Sequence, residues 1–134
     1  MANYYGHART NYCTIRDLDG FNVWAKRVSA GVVEKDGKHG LLATGTEDGV
    51  FCTDKALEDG EGEWTGEYED IDLAEVAPFL ADGECMIFME VGAEKLRYLV
   101  ATALLVHSDG RTQLLDLNQL ALGAAPAGTT PVQW

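Results

Sequence analysis

The chain is short of basic residues: 10 of its 134 residues are Lys or Arg, against 22 Asp and Glu, and the net charge is −12. A surface of that sign repels nucleic acid and anionic membrane and attracts basic proteins and cations. Cysteine is scarce too. Cys13, Cys52 and Cys85 are an odd number with no Cys-x-x-Cys pair, which argues against a secreted disulfide framework and for free thiols in a reducing compartment. No apolar stretch reaches the roughly 18 residues that a membrane span requires. The opening Met1-Ala2-Asn3-Tyr4-Tyr5-Gly6-His7 has no basic region followed by an apolar run, so no signal peptide is expected. The glycines form neither a dinucleotide-binding nor a phosphate-loop pattern. These absences point to a soluble cytoplasmic protein. What is present, 46% apolar and 9% aromatic residues, is ordinary globular composition, enough for one domain with its own core.

The acidity is local. Between Glu47 and Glu75 stand Glu47, Asp48, Asp54, Glu58, Asp59, Glu61, Glu63, Glu67, Glu69, Asp70, Asp72 and Glu75, with Lys55 as the one base. The rest of the chain is close to neutral, so nearly the whole net charge belongs to this segment.

Around it, hydrophobic periodicity lays out the elements. Thr10 to Arg16 alternates and is rich in β-formers, which predicts a first strand. Asp17 is placed to cap a helix carrying Phe21, Trp24, Ala25 and Val28 on one face, with Gly31 as its left-handed stop. Asp36-Gly37 predicts a tight hairpin, and Gly49 to Thr53 a further short strand. Asp72-Leu73-Ala74-Glu75 has the form of a capping box before a short helix that Pro78 should kink. Cys85 to Val91, a turn at Gly92-Ala93-Glu94, Lys95 to His107, a turn at Ser108-Asp109-Gly110, and Arg111 to Leu117 predict a three-stranded meander. Its middle strand is apolar enough to be covered on both faces. Asn118 to Leu122 starts a short helix. The expected fold is α+β: a largely antiparallel sheet with two or three helices on one face, in the order β-α-β-β, acidic insert, α-β-β-β. The expected domain spans 1–122 with the insert at 47–72, and 123–134 is a C-terminal tail.

The acidic insert is the candidate site. In Asp59, Glu61, Glu63 and in Glu67, Glu69 the acids recur at i, i+2, which on an extended chain sets them about 6.6 Å apart along one edge. That spacing approximates two phosphate steps of about 3.4 Å each along a DNA strand. The expected partner-binding residues are Glu58, Asp59, Glu61, Glu63, Trp64, Glu67, Tyr68, Glu69, Asp70 and Asp72, with Trp64 and Tyr68 as aromatic anchors. The competing reading is a solvated loop whose acids only keep the protein soluble, with both aromatics folded onto the core. Asp59, Glu61, Glu63 and Asp70 also imitate the spacing of a calcium loop, but Trp64 occupies the position where its sharp turn needs Gly. No metal or cofactor is expected. His7, His39 and His107 fit no zinc or triad pattern. A thiol at Cys13 activated by His7 is outweighed by a buried core thiol. Tyr4, Tyr5, Arg9 and Tyr12 form a separate aromatic and basic cluster, a small contact surface or an edge strand packing across the sheet.

Two segments resemble a known group. Ala2-Asn3-Tyr4-Tyr5 with Ala8-Arg9-Thr10-Asn11-Tyr12, and Leu80-Ala81-Asp82-Gly83-Glu84 with Met89-Glu90-Val91-Gly92-Ala93-Glu94-Lys95-Leu96-Arg97-Tyr98, are similar to small acidic proteins encoded by phages, plasmids and other bacterial mobile elements. The resemblance carries over no functional residue and implies a setting, since such proteins are often inhibitors of host defence, including anti-CRISPR and antirestriction proteins that imitate DNA. The expected function is therefore a non-enzymatic inhibitor. Its acidic, DNA-mimicking face would bind a basic nucleic-acid-binding protein or complex of the bacterial host, such as a CRISPR-Cas effector. An immunity or antitoxin protein that caps a toxin, and an enzyme with an unrecognised site, are the alternatives.

Overall fold

The computed structural model describes residues 4–45, 49–94, 98–130 and 132. The elements run β1 (Tyr4–Thr10), α1 (Leu18–Arg27), β2 (Ala30–Lys35), β3 (Lys38–Ala43), β4 (Asp54–Glu58) and β5 (Trp64–Asp70). A 3-10 helix (Leu73–Phe79), β6 (Cys85–Glu94), β7 (Tyr98–His107), β8 (Thr112–Asp116) and α2 (Leu117–Ala124) follow. The fold is α+β. Six strands form one antiparallel sheet in the order β2-β3-β1-β6-β7-β8, while β4 and β5 pair only with each other. The acidic insert is thus a two-stranded hairpin outside the main sheet.

β1 is a central strand, displaced toward the N-terminus from the predicted Thr10 to Arg16. It pairs with β6 from Tyr4↔Glu94 to Thr10↔Phe88. Its buried side is built from Gly6, Ala8 and Thr10, small enough to lie under the helices, while Tyr5, His7 and Arg9 face outward. Small residues on the buried side hid the alternation from a hydrophobicity reading. The ladder ends at Asn11, whose side chain accepts from Ile87 N–H (2.8 Å) and donates to the Cys85 carbonyl (3.1 Å). Beyond it only single bridges remain, Cys13↔His39 and Ile15↔Leu80. The aromatic and basic cluster near the N-terminus therefore does not mark an edge.

α1 starts as its sequence dictates, with the Asp17 carboxylate accepting from Gly20 N–H at 3.1 Å. Phe21, Trp24, Ala25 and Val28 are buried against the sheet, and Trp24 and Phe51 each meet the Phe88 ring edge to face. The chain reverses at Ser29 (φ 58°), and Gly31 lies within β2. The Asp36-Gly37 hairpin forms as expected, both residues having positive φ (54° and 79°). Gly49 to Thr53 is not a strand; it carries Phe51 into the core, and Cys52 N–H donates to the Val28 carbonyl at 2.9 Å. Gly49 (φ 77°) backs onto the Gly6 carbonyl oxygen so closely that no Cβ fits.

Asp72 caps the 3-10 helix through Ala74 N–H at 2.9 Å. Glu75 does not close the box. Its carboxylate instead accepts from the Trp24 indole at 3.1 Å. Val76, Ala77 and Leu80 complete the helical layer, over a core that includes Leu41, Met86 and Val106. Thr10, the buried polar side chain among these, is satisfied: its Oγ1 accepts from Leu41 N–H (2.9 Å) and donates to the Asn11 carbonyl (2.8 Å).

β6 runs on through Gly92, Ala93 and Glu94, where a turn was predicted, because all three pair with β7. Lys95, Leu96 and Arg97 lie outside the described residues. β7 is not covered on both faces. It lies one strand from the β8 edge, Leu99 is 43% exposed, and only Val106 of its described side chains is buried. The helix at Asn118 to Leu122 extends to Leu117–Ala124, capped by the Asp116 carboxylate on Asn118 N–H at 2.8 Å. It therefore takes two residues from the predicted tail.

Candidate functional site

The hairpin holds nine of the ten residues singled out from sequence on its strands and turn, Asp70 ending β5, and Asp72 lies just beyond it. Its strands pair from Asp54↔Asp70 through Ala56↔Tyr68, then slip to Glu58↔Trp64. That irregularity adds local twist. The segment from Asp59 to Glu63 is a closed turn, not an extended row. Asp59 N–H donates to the Glu63 carbonyl (2.8 Å), and the Asp59 carboxylate accepts from the backbone N–H groups of Glu61 (2.8 Å) and Glu63 (3.1 Å). Gly62 supplies the positive φ, 82°. The evenly spaced phosphate-like row expected for Asp59, Glu61 and Glu63 is therefore absent. A carboxylate bound to turn amides and two glycines in five residues favour the turn over an extended strand.

The base of the hairpin is tied to the helical layer. Glu69 forms an ion pair and hydrogen bond with the Arg27 guanidinium at the end of α1, and Glu75 stands 4.0 Å from the same group. The Glu69 hydrogen bond is the main reason the guanidinium holds its proton more tightly than usual. Ile71 is buried, and its N–H donates to the Thr53 carbonyl at 2.7 Å. Three expected partner-binding acids thus have internal work: Asp59 closes the turn, Glu69 holds Arg27, and Asp72 caps a helix.

What remains outward-facing is a compact set. Trp64 and Tyr68, at i and i+4 on β5, share a strand face with ring centroids 5.6 Å apart and an interplanar angle of 57°. They are 58% and 62% exposed. The Trp64 indole donates to the Glu67 carbonyl at 3.1 Å, which fixes the ring while leaving its apolar surface in solvent. Neither aromatic folds onto the core, contrary to the solubility reading. Glu61, Glu63, Glu67 and Asp70 are exposed on the same hairpin. For Glu58 the backbone is described, on β4. Among the described residues no group of three His, Cys, Asp or Glu is placed to hold a metal ion.

The histidines and cysteines do not converge on the hairpin. His7 lies on the outward side of β1, whereas Cys13 is fully buried with its Sγ 3.4 Å from the Cys85 carbonyl. Burial, aided by Glu84, pushes the Cys13 thiol up to about 12 from an ordinary 9.0. Such a thiol is no nucleophile near neutral pH. Below pH 9 it is neutral in both folded and unfolded chains. Above pH 9 it ionises readily only when unfolded, so this group subtracts about 1.4 kcal/mol of stability per pH unit until the folded thiol itself titrates. Urea unfolding at about pH 8 and about pH 10.5 should show a smaller alkaline loss for Cys13→Ala than for the native chain. Equal losses would mean that Cys13 ionises as freely in the fold as out of it.

Sequence reasoning did not single out Arg27 and read Glu75 only as part of a capping box, because an ion pair across 42 residues, such as Arg27 with Glu69, leaves no local signal. Comparison of the chain with protein-family models, with curated proteins and with solved structures finds no match.

Proposed function

We propose that this protein is a non-enzymatic inhibitor whose acidic hairpin docks on a basic, nucleic-acid-binding partner. The observation that carries the reading is the Trp64–Tyr68 pair: two large rings in tilted contact, more than half exposed, on the same hairpin as the exposed Glu61, Glu63, Glu67 and Asp70. Exposed aromatics that already have fixed neighbours lose little freedom on binding and dominate interface energies. The surrounding acids steer a basic surface onto them. The turn at Asp59 argues against a phosphate-by-phosphate copy of DNA and for a twisted acidic finger that enters a basic channel. The resemblance to proteins of bacterial mobile elements directs the search to host defence complexes, a CRISPR-Cas effector first among them.

The test is capture from bacterial lysate by the tagged native chain and by a Glu61→Gln, Glu63→Gln, Glu67→Gln, Asp70→Asn variant. Among the described residues, none of these four carboxylates has a hydrogen-bond partner to lose. The native chain should retain a nucleic-acid-binding complex at low salt and release it as salt rises, and the variant should bind at least about 10-fold more weakly at low salt. Undiminished binding by the folded variant would remove electrostatic docking through this hairpin.

A further inference from the structure

The second surface on this molecule is the side of the six-stranded sheet that carries no helix. Strand registers place Ile87, Met89 and Val91 of β6, Leu99 and Leu105 of β7, and Leu115 of β8 together on this side. Every described side chain that β1, β6, β7 and β8 present there is at least partly exposed, with Met89 at 50% and Val91 at 51%. A contiguous apolar sheet face left in water is uncommon in monomers and marks a contact surface. Its charge is equally unusual. In a chain with 22 Asp and Glu, none of the described residues on this face is acidic, and Arg9, Lys35 and Lys38 make it positive.

We propose that this open face is the interface of a homodimer in which two sheets pack face to face. Six strands about 4.8 Å apart and about 20 Å long offer on the order of 600 Å² per copy. Two such faces bury about 1,200 Å² in all, the lower bound of specific, stable interfaces. The distribution of charge selects both the occupant and its orientation. The cations lie on the β2-β3-β1 half, and the β6-β7-β8 half is mainly apolar, with His107 and Gln113 toward one end. A two-fold axis between the sheets and parallel to the strands lays the basic half of each copy over the apolar half of the other. The two sets of cations are then kept apart, their aliphatic stems cover apolar surface, and their charged heads reach the rim. Aligned packing of this kind is the ordinary geometry of a β-sandwich. A basic partner of the kind proposed for the hairpin is repelled from this face. The hairpin is tied to the helical side through Arg27, so the dimer leaves both acidic fingers outward and free for two-site binding.

The experiment is sedimentation equilibrium of the full chain from about 5 to about 200 µM, alongside a Met89→Lys, Val91→Lys variant, with circular dichroism to confirm folding. Both positions are half in solvent already, so the monomer tolerates lysine there. The native chain should sediment at twice its 14.5 kDa. The variant should be a folded monomer, its dimer dissociation constant raised at least about 100-fold. A native monomer throughout that range overturns the proposal, as does a variant that stays dimeric. A native monomer that binds a fluorescent oligonucleotide through this face would reassign its cations and Tyr5 to nucleic acid.

Discussion

Replacing Phe21 with Ala is expected to destabilise the fold by about 3 to 5 kcal/mol, the usual cost of emptying a fully buried aromatic site. Phe21 is 0% exposed and sits on the buried face of α1 beside Trp24 and Ala25, where the helix meets the sheet. The loss has two parts: the transfer free energy of the ring, and a cavity that a sheet on one side and a 3-10 helix on the other cannot close. Since domains of this size are stable by about 5 to 15 kcal/mol, the loss is a large share of the total and should lower the melting temperature by about 10 °C or more. Phe21→Leu keeps most of the volume and should cost less than half as much. Urea titrations followed by circular dichroism, at one protein concentration so that any dimer contributes equally, give the comparison. A loss below about 1 kcal/mol for Phe21→Ala would show that α1 is not packed on the sheet as described.

The second large effect concerns binding alone. A Trp64→Ala, Tyr68→Ala variant should lose at least about 100-fold in affinity for the complex captured by the native chain, a loss of the size that paired aromatic anchors show. The two rings touch each other, so each single substitution should produce most of the loss and their effects should not add. Stability should barely change, because neither ring contributes to the core. This separates the two experiments: Phe21→Ala weakens the fold and Trp64→Ala, Tyr68→Ala removes only the contact. A double variant that melts like the native chain and binds as tightly would leave the hairpin's aromatics without a role in docking. The acid-to-amide variant gives a different signature, a loss that shrinks as salt rises, whereas the aromatic loss should persist at high salt.

Much of the fold was legible because its signals are local. Asp17 before Phe21, Trp24, Ala25 and Val28 specifies a capped helix within a dozen residues, and Asp36-Gly37 specifies a tight turn between two strands. The misread elements share a cause. Gly6, Ala8 and Thr10 are buried for being small, so β1 shows no apolar stripe. Gly92-Ala93-Glu94 has turn composition but pairs with Val100, Leu99 and Tyr98, because a partner strand outweighs local propensity. Glu75 suits a capping box but finds the Trp24 indole, a donor that only the packed helix brings within reach.

The candidate site divides in the same way. Sequence alone determined that the charge is concentrated between Glu47 and Glu75 and that Trp64 and Tyr68 lie within it, since charge and residue identity need no fold. It also determined the α+β class, whose periodicities repeat over short windows. Only the tertiary structure decided which acids are free: Glu69 is held by Arg27, Asp59 by its own turn and Asp72 by a helix start, whereas Glu61, Glu63, Glu67 and Asp70 face solvent. Strand order, likewise, is set by pairings between residues more than eighty positions apart, such as Tyr5↔Ala93. That order is what sets Leu42, Arg9 and Met89 side by side on one face that carries no acid among the described residues, since no window of the chain contains neighbours drawn from β3, β1 and β6.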